Sequence, residues 1–413
     1  MEKQINVPEL RFPEFEGEWV KEKLGNLLTE GKLGGNYENS ESHTGIPVIK
    51  MGNLGRGSIN LNKVQFLPAD KIYNKDDILK EGDLLFNTRN TLELVGKVSI
   101  WRNELPFSLY NSNLMRLKFD KRIEPLNMFM NYRFNTKNSI NQLRTFATGT
   151  TSVAAIYSKD LNSFSVLFPF IPEQQKIATF LNIVDEKIQA LQKKKTLLEQ
   201  YKKGIIQKLF SQHLRFKDVD DSDFPDWEEK KLGEVAEKRI VKNKDNKIKL
   251  VFTNSALQGI VNQRDFFDKD IANQNNLLSY YLVANNDFVY NPRISNYAPV
   301  GPISRNYLGI GIMSPLYSVF RFKEGNLDFI NYFFNSTIWH KHMEDISNYG
   351  VRDDRMSFSS KNFYEMPINF PSLPEQIKIA NFLTSLDEKL NKTTQQITQT
   401  QLWKKGLLQK MFC

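Results

Sequence analysis

From position 172 the chain repeats apolar residues at a helical spacing for about forty positions, and it does so again from position 374. The first stretch places Ile177, Leu181, Val184, Ile188, Leu191, Leu198, Ile205 and Leu209 on one stripe, the second Ile379, Leu383, Leu386, Leu390, Ile397, Leu407 and Met411. Steps of three and four predict two α-helices with a heptad-like seam. At 1.5 Å per residue, forty residues make a helix of roughly 60 Å. One apolar stripe on so long a helix needs a partner. The other long helix is the expected partner, and packing of each helix on its own domain is the plainer alternative. Pro172 and Pro374 suit a first helical turn, and Glu173 and Glu375 favour the helix dipole there. Lys195 and Lys202 interrupt the first seam, and Thr393, Thr400 and Lys404 the second. Gly204 and Gly406 hold equivalent late positions, where glycine costs about 1 kcal/mol; they predict close packing or a bend.

Elsewhere the pattern is mixed. Short apolar runs bounded by turn residues predict strands at 46–51, 83–87, 96–101 and 114–119, and again at 249–254, 287–291 and 317–322. Helical periodicity covers 126–134 and 329–346. The acidic, polar run 218–226 reads as a linker.

The two long helices are copies of one another. PEQQKIATFLNIVDEKI from Pro172 and PEQIKIANFLTSLDEKL from Pro374 align without a gap at an offset of 202, with 11 of 17 positions identical. YKKGIIQKLFS from Tyr201 meets WKKGLLQKMFC from Trp403 at the same offset. Weaker matches extend upstream: EKLGNL with KKLGEV, each just after a Trp (Trp19, Trp227), GDLLFNTR with NDFVYNPR, and FMNYRFN with FINYFFN. The drifting offset fits insertions in loops. A period near 200 residues means two whole domains rather than a solenoid.

Composition narrows the chemistry. The 413 residues carry 56 Lys+Arg against 47 Asp+Glu, a net charge of +9. Such a balance suits a nucleic-acid binder, though charge alone is a weak signal. Mean hydropathy is −0.47, no apolar run approaches membrane-helix length, and MEKQINVPEL has no secretory pattern. Cys413 is the single cysteine, so intramolecular disulfides and multi-cysteine zinc sites are excluded and a reducing, cytoplasmic setting is expected. The four histidines form no HExxH. His340 and His342, two apart, lie across a helix from each other and make a poor ligand pair. YNPRI at 290–294 lacks the second Pro and the aromatic of an adenine-methyltransferase motif, and GNLGRG at 52–57 reads as a hairpin turn rather than a phosphate-binding loop. The expected catalytic set is empty, as is the metal set.

The order of globular part, IPEQQKIATFL helix, globular part and LPEQIKIANFL helix resembles the specificity subunit of type I restriction–modification enzymes. The duplicated helices, the openings after Trp19 and Trp227, the stretch IPVIKMGNLGRGSIN and EGDLLFNTR carry the likeness. The resemblance implies an α+β fold of two similar mixed α/β target-recognition domains separated by two long helices, paired as an antiparallel coiled coil about a pseudo-twofold axis. A head-to-tail arrangement stays open on the residues alone. The division expected is an N-terminal arm and first recognition domain at 1–170, a long helix at 171–213, an acidic linker at 214–226, a second recognition domain at 227–371 and a second long helix at 372–413. The resemblance further implies that each domain reads half of a bipartite, asymmetric DNA site. The helices would set the spacing and dock two modification (methyltransferase) subunits, with restriction and translocase subunits joining them. The chain itself would hold no cofactor; S-adenosylmethionine would bind the methyltransferase partner, and ATP and Mg2+ the restriction partner. A stand-alone repressor and a structural adaptor are the alternatives.

Base reading favours Arg, Lys, Asn and Gln, and phosphate contacts add small polar donors. Loops after the predicted strands offer Lys50, Asn53, Arg56, Asn87, Arg89, Asn90 and Thr91, then Thr150 and Thr151. The second copy offers Asn254, Ser255, Gln258, Asn291, Arg293, Asn296, Arg352 and Arg355. Arg89 and Arg293 match across the repeat. Ile177, Leu181, Val184, Ile188 and Leu191, with Ile379, Leu383, Leu386 and Leu390, are the expected helix interface. Phe12, Phe15, Phe216 and Phe224 are expected to pack rather than stack on bases.

Overall fold

The computed structural model describes residues 6–38, 40–41, 44–120, 126–266, 274–347 and 354–412. Two compact units form: residues 1–192 with 395–413, and residues 193–394. This division does not follow chain order. The first long helix, Ile171–Phe210, and the second, Leu373–Lys410, each contribute their first part to one unit and their last part to the other.

The first unit is built on a four-stranded antiparallel sheet. Leu114–Phe119 lies between Leu28–Leu33 and Leu84–Asn87, and Val98–Ile100 flanks the far side of Leu84–Asn87. Period-two alternation sends Leu84 and Phe86 into the main core, with Phe129 and Met130 of helix Asn127–Phe134, and Leu85 into a smaller core with Trp101 and Tyr110. Both faces are covered, which is why this strand reads as an unbroken apolar run. A short pair, Val20–Lys23 with Ser165–Phe168, leads into the long helix.

The second unit repeats the plan. Ser318–Phe322 lies between Ala236–Lys238 and Phe288–Tyr290, with Ile303–Arg305 beyond. Phe288 and Tyr290 face the main core, and Val289 faces a smaller one with Phe252 and Met313. Glu228–Lys231 pairs with Pro367–Phe370 ahead of the second long helix.

The start of each long helix is anchored in the same way. Arg11 binds the buried Glu173 carboxylate through Nε (2.8 Å) and Nη2 (2.7 Å), and the Trp19 indole N–H donates to it at 3.2 Å. In the second unit Arg215 donates to Glu375 at 3.2 and 2.9 Å, and the Trp227 indole N–H donates to the same carboxylate at 3.1 Å. The next residue ties backbone to backbone: Gln174 donates to the Pro169 carbonyl and accepts from the Leu126 N–H, and Gln376 does so with Pro371 and Asn326. The preserved Pro-Glu-Gln thus docks each helix on its globular part.

The seams pack in both of the ways expected. In the first unit Ile177, Leu181, Val184 and Ile188 bury in the main core together with Leu407 and Met411 from the second helix. In the second unit Ile379, Leu383 and Leu386 bury with Ile206 and Leu209 of the first. Leu10 bonds the Lys410 carbonyl while Arg11 holds Glu173, so position 410 lies beside the start of the first helix; Lys404, earlier in the second helix, meets Asp185, further along the first. The helices therefore run antiparallel. Leu191 and Leu390 are half-buried.

Two expectations need correction, and one helix stands where none was expected. The helical pattern at 329–346 is two helices, Leu327–Phe334 and His340–Ile346. Ser336 caps the Phe333 carbonyl at 2.6 Å and the Trp339 indole takes the Phe334 carbonyl at 3.1 Å, so side chains replace the next helical bonds. Helix Lys137–Phe146, capped by Thr136, is not among the expected elements, although Ile140, Leu143 and Phe146 recur along it at a helical spacing. A Cβ built on Gly204 or Gly406 meets nothing within 4 Å, so close packing does not explain either glycine. The phenylalanines pack as expected: Phe12 lies edge-on to Phe180 and Phe15 to Phe170, Phe216 meets Phe382, and Phe224 is buried.

Candidate nucleic-acid interface

In the first unit three loops converge beside the sheet. The tight turn at 55–58 closes through the Gly55 N–H to the Ser58 carbonyl, at 2.8 Å. Gly57 takes a positive φ of 84° there, a conformation glycine adopts without strain. Its N–H bonds the Val98 carbonyl at 2.8 Å, fixing the turn to the sheet edge. Arg56 sits at the tip and its Nη2 approaches the Glu93 carbonyl at 3.4 Å. The neighbouring Leu92 N–H bonds the Thr151 carbonyl at 3.1 Å. Thr151 belongs to the hairpin of Thr148–Gly149 and Ala154–Ala155, whose second strand pairs with Arg89–Asn90. Arg56, Arg89, Thr150 and Thr151 are therefore gathered around loop 91–95. Arg89, Thr150 and Thr151 are exposed.

Other expected readers hold the scaffold instead. Asn87 is fully buried, and its amide donates to the carbonyls of Arg89 (3.0 Å) and Asn113 (3.3 Å). Asn90 donates to the Asn87 side-chain oxygen and accepts from the Thr91 N–H. Asn53, also buried, accepts from the Lys50 N–H and donates to the carbonyls of Asn60 and Lys63. The Lys50 ammonium donates to Gln65 at 2.6 Å. The amides of Asn87 and Asn53 are thus buried and spent on turn carbonyls that need donors.

The second unit presents an equivalent face. Hairpin Phe252–Ser255 with Gly259–Asn262 carries an exposed turn that ends in Gln258, followed by Gly259 at φ 67°. Each turn ends on a glycine of positive φ, Gly57 and Gly259, and the residue before it is Arg56 in the first unit and Gln258 in the second. Asn254 is buried, donating to the carbonyls of Val289 (2.7 Å) and Pro302 (3.2 Å). Asn291 donates to the Asn254 carbonyl and accepts from the Arg293 N–H. Both asparagines, like Asn87, organise the loop. Arg293 is 65 % exposed and bridges in antiparallel register to Arg355. Each guanidinium lies 3.8 Å from the one Asp354 carboxylate, leaving the pair with an excess positive charge. Arg352 lies outside the described residues.

A cleft of about 670 Å³ opens beside Gln258, lined also by Asn296, Tyr297, Tyr307, Arg305 and Lys203. Tyr297 and Tyr307 are 73 % and 60 % exposed. Arg305 is committed to Asn286, Asp328 and the Tyr307 ring. Tyr297 and Tyr307 were not legible as site residues; exposed tyrosines in Pro/Gly/Asn-rich loops are the signal that marks them. Among the described residues no group of three or more His, Cys, Asp and Glu side chains is placed to hold a metal ion, and no helix is long and apolar enough to cross a membrane.

The family model for the type I restriction modification DNA specificity domain matches twice, over residues 16–200 and 225–400. A putative type I restriction enzyme MjaX specificity subunit from Methanocaldococcus jannaschii is 24% identical over 98% of this chain and 95% of its own length. The EcoKI specificity subunit of Escherichia coli is 27% identical over 37% of this chain and 33% of its own. In fold, the chain is similar to the type I restriction–modification S subunit of M. genitalium, with a TM-score of 0.55 and 16% identity over 98% of this chain and 99% of that one.

Proposed function

Since the chain belongs to the type I restriction modification DNA specificity family, and is a sequence-specificity subunit of such a system, we propose that each unit reads one half of a bipartite, asymmetric DNA site. The observation that carries this reading is the matched pair of exposed arginines, Arg89 and Arg293. Arg89 stands on a short strand and Arg293 on an isolated bridge, each beside a polar loop, in units that share one plan but differ at the turn tips, Arg56 against Gln258. Different tips on one scaffold read different half-sites.

The antiparallel helices hold the two readers at a set spacing and offer a docking surface to two methyltransferase subunits, with restriction and translocase subunits beyond them. The chain acts in the cytoplasm and does no chemistry itself. S-adenosylmethionine belongs to the methyltransferase partner, and ATP and Mg2+ to the restriction partner. The relatives matched in sequence are specificity subunits by name, which does not favour a stand-alone repressor.

The test is methylation mapping. The purified chain with DNA and S-adenosylmethionine should transfer no methyl groups. Adding modification subunits should produce adenine methylation at one bipartite sequence. Methyl transfer by the chain alone would sink the non-catalytic reading, and methylation without sequence preference would sink the reading of half-sites.

A further inference from the structure

We propose that Arg56, Lys97 and Arg144 together seat a single backbone phosphate of the DNA bound by the first unit. The inference rests on the DNA-reading function above and assigns residues to one contact of it. Gly57, next to Arg56, bonds the carbonyl of Val98, next to Lys97. A Cβ on Gly96, on the other side of Lys97, would meet the Leu143 Cβ at 3.4 Å, and Arg144 follows Leu143. Three segments distant in sequence thus meet at the edge of the converging loops, close enough that Arg144 acts on Arg56 and Arg56 on Lys97.

Among the described residues none of the three cations forms a salt bridge, and the acidic group acting on Arg56 is the exposed Glu93. Arg56 Nη1 is buried without a hydrogen-bond partner. Burial and the Arg144 charge hold the Arg56 pKa below its usual range, and burial and the Arg56 charge do the same to Lys97. Repulsion of this kind destabilises a fold unless a ligand offsets it.

The duplication supplies the control. The turn position of Arg56 is held by Gln258. Lys97 accepts the Asn87 N–H at its carbonyl as Pro302 accepts that of Asn291, each just after a glycine of positive φ. Leu143 and Met343 are the matching buried positions of the following helix, so Arg144 corresponds to Glu344. The second unit builds the same scaffold with Gln, Pro and Glu, and therefore without any of the three cations. The fold does not need the cluster. A phosphate, with one negative charge and several acceptor oxygens, answers a site of three converging donors.

The experiment uses the full chain and a duplex carrying the bipartite sequence found by methylation mapping, titrated over a series of KCl concentrations. Lys97→Gln and Arg144→Gln should each weaken binding roughly five- to tenfold at moderate salt and lower the slope of log K against log[salt] by about 0.9, the share of one phosphate. The double variant should lower the slope no further, because both cations serve one phosphate. Base preference in the first half-site should stay unchanged, and both variants should melt at or above the wild-type temperature. A neutral methylphosphonate at one position of that half-site should weaken the wild type and leave the variants unaffected. An unchanged slope, an altered base preference, a fall in melting temperature or no sensitive phosphate would each overturn the seat. Wild-type protein that fails to prefer the bipartite duplex over a scrambled one would instead overturn the DNA-reading function itself.

Discussion

Lys404 on the second long helix places its Nζ 2.5 Å from the carboxylate of Asp185 on the first. The same carboxylate accepts the Tyr132 hydroxyl at 2.9 Å, and Lys404 lies over the Tyr132 ring. Exactly one repeat away, Lys202 pairs with Asp387, which accepts the Tyr332 hydroxyl at 2.6 Å. Of the lysines that interrupt the apolar seams, Lys195 pairs with Glu199 of its own helix, whereas Lys202 and Lys404 are each matched to an aspartate of the opposite helix. They set the register of the pair, as a polar residue in a coiled-coil seam does.

Removing one member leaves a mostly buried charge alone. Lys404→Met is expected to cost roughly 2 kcal/mol, below the ~3–5 kcal/mol of a fully buried pair because both groups keep some solvent contact. Asp185→Leu combined with Lys404→Met should recover much of that loss. Urea unfolding of both single variants and the double checks it; a double loss equal to the sum of the two single losses would mean the pair is not coupled.

Glu375→Gln removes the charge that Arg215 grips with two nitrogens in a fully buried site, and should destabilise by about 3 kcal/mol. Arg215→Met should cost a similar amount, and the two together less than their sum. Chemical denaturation of the full chain measures all three.

High pH should expose a different weakness. Burial raises the pKa of Tyr132, Tyr290, Tyr332 and Tyr364 above the usual 10.0, and Asp185 and Asp387 add to the shift at Tyr132 and Tyr332. The native state keeps these protons while the unfolded chain loses them near pH 10, so above that pH the folded form binds more protons. Stability is full below pH 10 and falls as pH rises through the native values. A tyrosinate absorbance titration should show these phenols ionising only with unfolding; smooth ionisation of every tyrosine near pH 10 would contradict it.

Gln258→Ala should relax base preference in the second half-site alone, by ~1–3 kcal/mol at one position. Methylation mapping with the variant complex reads this directly. A change in the first half-site would show that the turn acts otherwise.

A fragment of residues 1–211 should pair with a second copy. Lys202 of one copy can then meet Asp185 of the other, and Ile206, Leu209 and Phe210 can fill the places of Leu408, Met411 and Phe412, each 202 positions on. Light scattering should show a dimer at tens of micromolar, on the order of the concentration at which burying such a stripe offsets association. A stable monomer would contradict it.

The duplication, the long helices and most strands of the recognition sheets were legible because they rest on local periodicity. What stayed hidden rests on contacts between distant positions. Glu173 and Glu375 read as dipole-stabilising acids, yet their partners Arg11 and Arg215 lie 162 and 160 residues away. Asn87 and Asn254 have the composition of base readers, but the carbonyls they satisfy belong to strands and turns elsewhere in the chain. Lys97 looked like one more strand residue; only folding brings it to Arg56.

The first unit's borrowing of residues 395–412 has a consequence for biosynthesis. Its core includes Leu407, Met411 and Phe412, made more than two hundred positions after residue 192. At ~5–20 residues per second the nascent domain waits roughly 10–40 s with Trp19 and Phe129 unroofed. During that interval it is a client for chaperones. Truncations or ribosome stalls within the second helix should therefore register first as aggregation of the domain translated earliest.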